Sequence, residues 1–251
     1  MSGTQSFVRS LERSRLSLTR PDRPAEFELL GLRWNLLDEV FAPVFSPSTA
    51  VALDLLGLAE AGPGDRSGSF LEIGCGTGVA AVRSALAGCE RVVAADVNPR
   101  AVENAALNAV RHGVGDRVRA VRSDLFSALQ QERFDMVFWS SNYVRAPEDY
   151  TYRSMHERAY VDPGYRTHRR YLAEAPRMLA PGGRALLHFS SRGVRGELYE
   201  MARELGRELH VVRSVELVEQ EYGADAVEHL LLEIRVADSG DGRDRPGRMS
   251  G

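Results

Sequence analysis

Ser69-Phe70-Leu71-Glu72-Ile73-Gly74-Cys75-Gly76-Thr77-Gly78-Val79 decides the reading of the chain. An apolar strand runs into a loop with glycine at every second position, and an alanine-rich helix follows over about Val79–Leu86. Glycines let the backbone turn sharply and approach a bound molecule, because no Cβ stands in the way. The helix start behind the loop offers free N–H groups and a partial positive charge. Strand, glycine loop and helix N-terminus together make a nucleotide-type site. A dinucleotide fingerprint would need Gly-x-Gly-x-x-Gly/Ala, with its last small residue at position 79. Val79 stands there, and the spacing is Gly-x-Gly-x-Gly with an acid, Glu72, ahead of it.

Two further anchors lie downstream. Arg91-Val92-Val93-Ala94-Ala95-Asp96 reads as a buried parallel strand ending in an acid, roughly 20 residues past the loop, as nucleoside-binding folds require. Asp96 there can accept both ribose hydroxyls, or it can cap the helix that begins near Pro99. Asn98 could supply that cap instead. Ser123-Asp124-Leu125-Phe126 closes the next strand, Val118–Arg122, with a second acid that alone would pass for a turn residue.

Taken together, these stretches resemble class I S-adenosylmethionine (SAM)-dependent methyltransferases. The resemblance covers roughly residues 45–190. It implies that Glu72, Gly74, Cys75, Gly76 and Gly78 surround the methionine end of SAM, and that Asp96, Val97 and Asn98 hold the ribose. Asp124 would accept the adenine amino group, with Leu125 packing on the ring. Pro47-Ser48-Thr49 is similar to a Pro-x-Thr that helps close the SAM pocket in nitrogen methyltransferases. Thr49 reads equally well as part of a simple helix start, with Ser46 or Ser48 as the cap.

The end of strand four points to a subgroup. Phe134-Asp135-Met136-Val137-Phe138-Trp139-Ser140-Ser141-Asn142-Tyr143 resembles the Phe-Asp-x-(apolar)3-Asn-Pro-Pro-Tyr of release-factor glutamine methyltransferases and related nitrogen methyltransferases. By strand register Ser140 falls on the Asn, Ser141 and Asn142 on the prolines, and Tyr143 on the Tyr. The resemblance therefore implies Ser140, Ser141 and Tyr143 as the residues that orient an acceptor nitrogen, with Ser140 also beside SAM. Loss of the Asn and both prolines argues against a glutamine amide and favours a small polar metabolite carrying a guanidine, amine or amide. Methylation of a protein side chain is the alternative, and a catalytically silent SAM-binding regulator is another. A nicotinamide oxidoreductase is a weaker rival.

Tyr143–Tyr171 holds six of the chain's eight tyrosines, interleaved with arginines and acids. It follows the C-terminal end of strand four, where open α/β sheets place their sites. Rings with mixed charge suit a small zwitterionic or cationic acceptor. Tyr143, Glu148, Asp149, Tyr152, Glu157 and Tyr160 are the expected acceptor-binding residues, with Asp162 as a further acid. His156 and His168 are candidates for a general base. The competing reading is a long surface loop docked by its tyrosines.

The rest of the chain bounds these readings. Its 251 residues, 43% hydrophobic and 27% charged, suit one globular unit with an appendage. We expect an N-terminal helical extension and linker over 1–45, a methyltransferase domain over 46–236, and a tail without stable structure over 237–251. A net charge of −3 gives no general attraction to nucleic acid or anionic membrane. All 32 basic residues are arginine, which excludes a Schiff-base lysine and a Walker A lysine. Cys75 and Cys89 make no disulfide framework, and no Cys/His/Asp spacing suits a metal. With no signal-peptide core and no apolar run of about 18 residues, a cytoplasmic protein is expected.

Strands and helices alternate along the chain. Strands are expected at Asp135–Trp139, Arg184–Ser190, about Val211–Val218 and His229–Val236, with a hairpin or strand in Phe27–Leu37. Helices are expected near Phe7–Leu18, Thr49–Leu58, Pro99–His112, Thr167–Leu179 and Arg195–Glu208. Ala101, Val102, Ala105, Ala106, Ala109 and Val110 would form the inward face of the third of these, with Pro181-Gly182-Gly183 a later turn. The sum is an α/β, Rossmann-like seven-stranded sheet, mostly parallel, with an antiparallel edge hairpin.

Overall fold

The computed structural model describes residues 6–219 and 225–237. The expectation for Asp238–Gly251 lies outside the described residues. At the centre is β3 (Ser69–Ile73), every residue of which is buried. Parallel strands β4 (Arg91–Asp96) and β5 (Val118–Arg122) extend the sheet on one side, and β6 (Phe134–Ser140) and β9 (Leu179–Ser190) on the other. The hairpin β10 (Arg207–Glu219) and β11 (Asp225–Val236) completes seven strands in the order β10-β11-β9-β6-β3-β4-β5. β11 runs antiparallel to both neighbours and is the reversed strand of the sheet.

Side chains alternate along each strand and feed two cores. On one face, Phe70, Val92, Ala94 and Phe138 meet α2 (Ser48–Leu56), α3 (Val79–Ala87) and α4 (Pro99–Arg111). On the other, Leu71, Ile73, Val93 and Trp139 meet α5 (Arg166–Glu174) and α6 (Arg195–Glu204). Strands covered on both sides read as continuous apolar runs, as these do.

The N-terminal segment packs onto this frame. After α1 (Phe7–Thr19), the hairpin β1 (Glu26–Leu29) and β2 (Leu32–Asn35) lies against α4. Here the expected inward face of α4 needs correction. Ala101, Ala105 and Ala109 are buried, but Ala106 and Val110 are exposed. Asn104 and Asn108 take their place, fully buried. Asn108 Oδ1 accepts the Asn35 N–H at 2.8 Å, and Asn104 Oδ1 accepts that of Leu37 at 2.8 Å. Two amides satisfy backbone N–H groups at the outer edge and end of the hairpin, which its own strand pairing leaves open.

Other boundaries shift for local reasons. Pro47 takes the N-cap position of α2 and Ser48 is its first residue, so the expected serine cap is reduced to a long 3.4 Å contact from Ser48 N–H to Ser46 Oγ. Pro181-Gly182-Gly183 is an irregularity within β9 rather than a turn before it, because Leu179 already pairs with Phe134. Helix α5 stops at Glu174 and a 3-10 turn, Ala175–Met178, completes the connection.

Candidate functional site

A cavity of about 470 Å³ opens at the C-terminal ends of β3, β4 and β6. Its floor is the glycine loop, where Gly74, Gly76 and Gly78 all have positive φ. A Cβ on Gly76 would meet nothing within 4 Å, so this backbone faces open space. Gly78 differs from expectation. It does not line the cavity, and a Cβ there would lie 2.7 Å from Ala105 Cβ. It lets α3 close on α4, a packing role rather than a cofactor contact. Pro47 also lies off the lining, while Thr49 lies on it.

Glu72 and Asp96 stand on either side of the loop. Glu72 Oε2 accepts the Ala81 N–H of α3 at 2.8 Å. Burial pushes its pKa up to about 8, and the charge of Asp96 adds to the rise. Asp96 Oδ2 accepts the Gly76 N–H at 3.0 Å and its Oδ1 accepts that of Asn98 at 2.8 Å. Burial raises the Asp96 pKa against the backbone N–H bonds that oppose the rise. A carboxylate has about four lone-pair sites, so Asp96 keeps one free on each oxygen. That is the donor-accepting capacity two adjacent hydroxyls need. The helix cap falls to Asn98, whose Oδ1 accepts the Arg100 N–H at 2.9 Å.

At the far wall Asp124 and Leu125 both line the cavity. Leu125 is buried with φ +52°, a conformation that costs a branched side chain energy and is stored at functional sites. Ser123 Oγ holds it by donating to the Leu125 carbonyl at 2.7 Å. The Asp124 carboxylate is engaged by Arg170 at 2.9 and 3.0 Å, a partner that sequence gave no sign of.

The opposite end is built by β6 and the loop after it. Ser140, Ser141, Asn142 and Tyr143 all line the cavity. Ser141 is locked to β9, its hydroxyl donating to the His188 carbonyl at 3.0 Å. Asn142 Nδ2 donates to the carbonyls of Arg158 and Val161 at 2.7 and 2.8 Å. The loop then folds back on itself as a short parallel pair, β7 (Arg145–Ala146) with β8 (Asp162–Pro163).

This fold-back sorts the loop residues. Tyr143, Tyr152 and Tyr160 line the cavity, as does Asp162. Glu148, Asp149 and Glu157 do not, which corrects the expected acceptor site. Glu157 instead accepts the Tyr150 hydroxyl and the Arg153 N–H, each at 2.8 Å, and braces the loop. Tyr165 and Tyr171 are fully buried and donate to the Tyr143 and Leu186 carbonyls, each at 2.7 Å. Half of the tyrosines therefore dock the loop and half face the cavity. Asp162 pairs with His168 Nδ1 at 2.7 Å. Burial pushes its pKa up, but the bonds from His168 and Thr167 outweigh burial and hold it low. His168 itself is fully buried behind Asp162 and off the cavity lining.

Several lining residues were not legible in the sequence. Helix α1 packs on the loop after β6 and contributes Ser10 and Arg13 to the lining, and Glu39 and Phe41 follow from the linker. Ser10, Ser14 and Ser17 are the buried face of α1. Ser14 Oγ lies 2.8 Å from Nδ1 of His156, which also lines the cavity. Burial, with the nearby Arg23 charge, lowers the His156 pKa to about 4. The signal that existed was the serine spacing of 4 and 3 along one helix face.

Residues 70–183 match the family described as a methyltransferase domain. With the sheet order and the loop geometry above, that segment resembles a class I SAM-dependent methyltransferase domain, and SAM is the methyl donor of that class. It resembles the glutamine methyltransferase group in particular. A provisionally named protein glutamine methyltransferase of Methanocaldococcus jannaschii is 27% identical over 73% of this chain and 89% of its own length. The release factor glutamine methyltransferase of Agrobacterium fabrum is 33% identical over 47% of this chain and 41% of its own. The bifunctional methyltransferase of Rickettsia felis is 29% identical over 49% of this chain, which spans only 25% of that relative. Among solved structures, the N-methyltransferase NodS of Bradyrhizobium japonicum WM9, in complex with S-adenosyl-L-homocysteine, superposes with a TM-score of 0.55. It covers 89% of this chain and 97% of its own at 18% identity, a likeness of fold. Among the described residues, no helix is long and apolar enough to cross a membrane.

Proposed function

We propose that the chain transfers a methyl group from SAM to a nitrogen of a small polar acceptor, a guanidine, amine or amide. The carrying observation is the composition of the cavity wall beyond the glycine loop, where Ser10 and Arg13 of α1 share one lining with Ser140, Tyr143, Tyr152 and Tyr160. When bound, SAM supplies a methyl group on a sulfonium, which an uncharged nitrogen can attack. Asp96 would accept the ribose hydroxyls, Leu125 would pack on adenine, and Glu72 with the glycine loop would hold the methionine end. Ser140 Oγ would accept an N–H of the acceptor and so aim its lone pair, while Tyr143 closes over the plane. Orientation and exclusion of water supply most of what such a transfer needs.

The charged lining narrows the acceptor class. Arg13, Arg158, Arg166 and Arg170 line the cavity, against Glu39, Glu72, Asp96, Asp124 and Asp162. That balance supports a zwitterionic acceptor with a carboxylate near its nitrogen over a plain cation. A glutamine side chain of a protein is the second reading, favoured by the names of the relatives. The test is incubation with tritiated SAM and a panel of amino acids, guanidino acids and small amines beside a glutamine-bearing peptide. N-methylated small product is expected. Label found in the peptide alone, or as a methyl ether or ester, overturns the proposal.

A further inference from the structure

A chain of hydrogen bonds runs inward from the acceptor end. Ser140 closes β6, and His188 lies beside it in register on β9. Ser140 Oγ is 2.9 Å from His188 Nδ1, and His188 Nε2 is 3.0 Å from His229 Nδ1 on β11. Both histidines are fully buried, with rings stacked at 5.2 Å and 20°. Tyr143 stands edge-on to both at 6.3 and 6.4 Å. Their strand neighbours Leu187, Phe189 and Leu230 are apolar and equally buried. Two imidazoles at this depth cost desolvation that leucines would not.

The chain has a direction, and the direction matters. A neutral imidazole has one N–H and one bare nitrogen. If Ser140 donates to His188 Nδ1, then His188 carries its proton on Nε2 and donates to His229 Nδ1. The Ser140 oxygen then presents lone pairs to the cavity. If the chain runs the other way, His188 Nδ1–H donates to Ser140, and the hydroxyl hydrogen is free to point outward. There it would bond the same nitrogen lone pair that must attack the methyl carbon. Only the first direction serves nitrogen transfer.

We propose that His188 and His229 are positioning residues that hold Ser140 Oγ as a hydrogen-bond acceptor for the incoming N–H. This rests on the nitrogen reading above. Burial, with His229 beside it, holds His188 near a pKa of about 3, so the chain orients the acceptor and does not store its proton. A bare Nδ1 on His229 is what this direction requires, since it would select the Nε2–H tautomer of His188 and so point the serine.

The test is nitrogen NMR of the full chain labelled at histidine, near neutral pH, with His188 assigned by its loss in His188→Gln. The inference expects His188 protonated on Nε2 and bare on Nδ1. A proton on Nδ1 overturns it whatever the acceptor proves to be. His229→Asn keeps an acceptor oxygen near the Nδ1 position and should preserve the tautomer, whereas His229→Leu should shift it toward Nδ1–H. With the acceptor from the panel, His229→Leu should lower kcat about tenfold, the scale of one oriented hydrogen bond. KM for SAM should stay unchanged, and His229→Asn should restore most of the rate. Equal losses in both variants, or an unmoved tautomer in His229→Leu, would reduce the histidines to packing. A methyl ether or ester product would instead defeat the nitrogen reading while leaving the tautomer result standing.

Discussion

Glu72→Gln sets stability against cofactor binding at a single carboxyl. Glu72 is 6% exposed, and burial places its pKa at about 8, against 4.5 for an ordinary glutamate. The native chain therefore keeps this proton over a range in which the unfolded chain releases it. The folded value is the higher one. The stabilisation is complete below 4.5 and is lost as pH rises through 8. At about 1.4 kcal/mol for each pH unit between those values, the loss approaches roughly 5 kcal/mol. Glutamine does not titrate, and its amide oxygen can still accept the Ala81 N–H. The variant should gain on the wild type by roughly 3–5 kcal/mol between pH 5 and pH 9. Cofactor binding should move the other way, because the amino end of SAM meets an amide instead of a carboxylate. Losing a hydrogen bond to a charged group costs about 1.5–3 kcal/mol, or roughly ten- to a hundredfold in affinity. Urea midpoints at pH 5, 7 and 9 read the first effect. Calorimetry of S-adenosylhomocysteine in two buffers of different ionisation enthalpy reads the second. At pH 7 the wild type should release close to one proton on binding and the variant none. Parallel stability curves, or an unchanged affinity, would refute the reasoning.

Asp96→Ala should weaken SAM by roughly 2–4 kcal/mol with the circular dichroism spectrum intact, since two hydroxyls lose a charged acceptor. Unchanged affinity would leave Asp96 as a brace for the Gly76 and Asn98 N–H groups. Tyr143→Ala should cut turnover tenfold or more while SAM affinity holds within about twofold, the mark of a residue that acts on the acceptor. Gly78→Ala should cost roughly 2–5 kcal/mol of stability, because φ is +76° and the new Cβ would sit 2.8 Å from Ala105 Cα. A thermal midpoint equal to the wild type would rule out the packing role.

The sheet was legible because its signals are local. Apolar runs such as Arg91–Asp96 are buried on both faces, so their composition alone marks them. The glycine loop and the acid after the next strand sit at spacings set by one strand, one turn and one helix. Helix α4 shows where this stops. Apolar periodicity chose Val102, Ala106 and Val110, but the inward stripe is completed by Asn104 and Asn108. Buried amides look like surface residues in a sequence. Only the arrival of Asn35 and Leu37, from an extension some 70 residues earlier, makes them worth burying. The acids of the long loop failed for a related reason. Charge composition says that a loop carries carboxylates, but the β7–β8 fold-back decides which of them face inward.

The acceptor end is the least legible part because it is assembled across the whole length of the chain. Ser140 comes from β6, His188 from β9, His229 from β11, and Ser10 and Arg13 from α1. No window of sequence contains two of these pieces. What a sequence does offer is a mismatch. His188 lies between Leu187 and Phe189, and His229 directly precedes Leu230-Leu231-Leu232, in strands otherwise suited to full burial. A titratable ring in such a run has to be satisfied by another polar group at the same depth. Two such rings on neighbouring strands satisfy each other, and the third member must come from a strand beside them. β9 pairs with β6 on its other edge, and the β6 residue opposite His188 is Ser140. On the nitrogen reading proposed above, the serine that stands where the related proteins have asparagine still offers an acceptor oxygen. A serine is shorter and turns freely, so it needs a partner to set the direction of its proton, and the two histidines lie where such a partner must be.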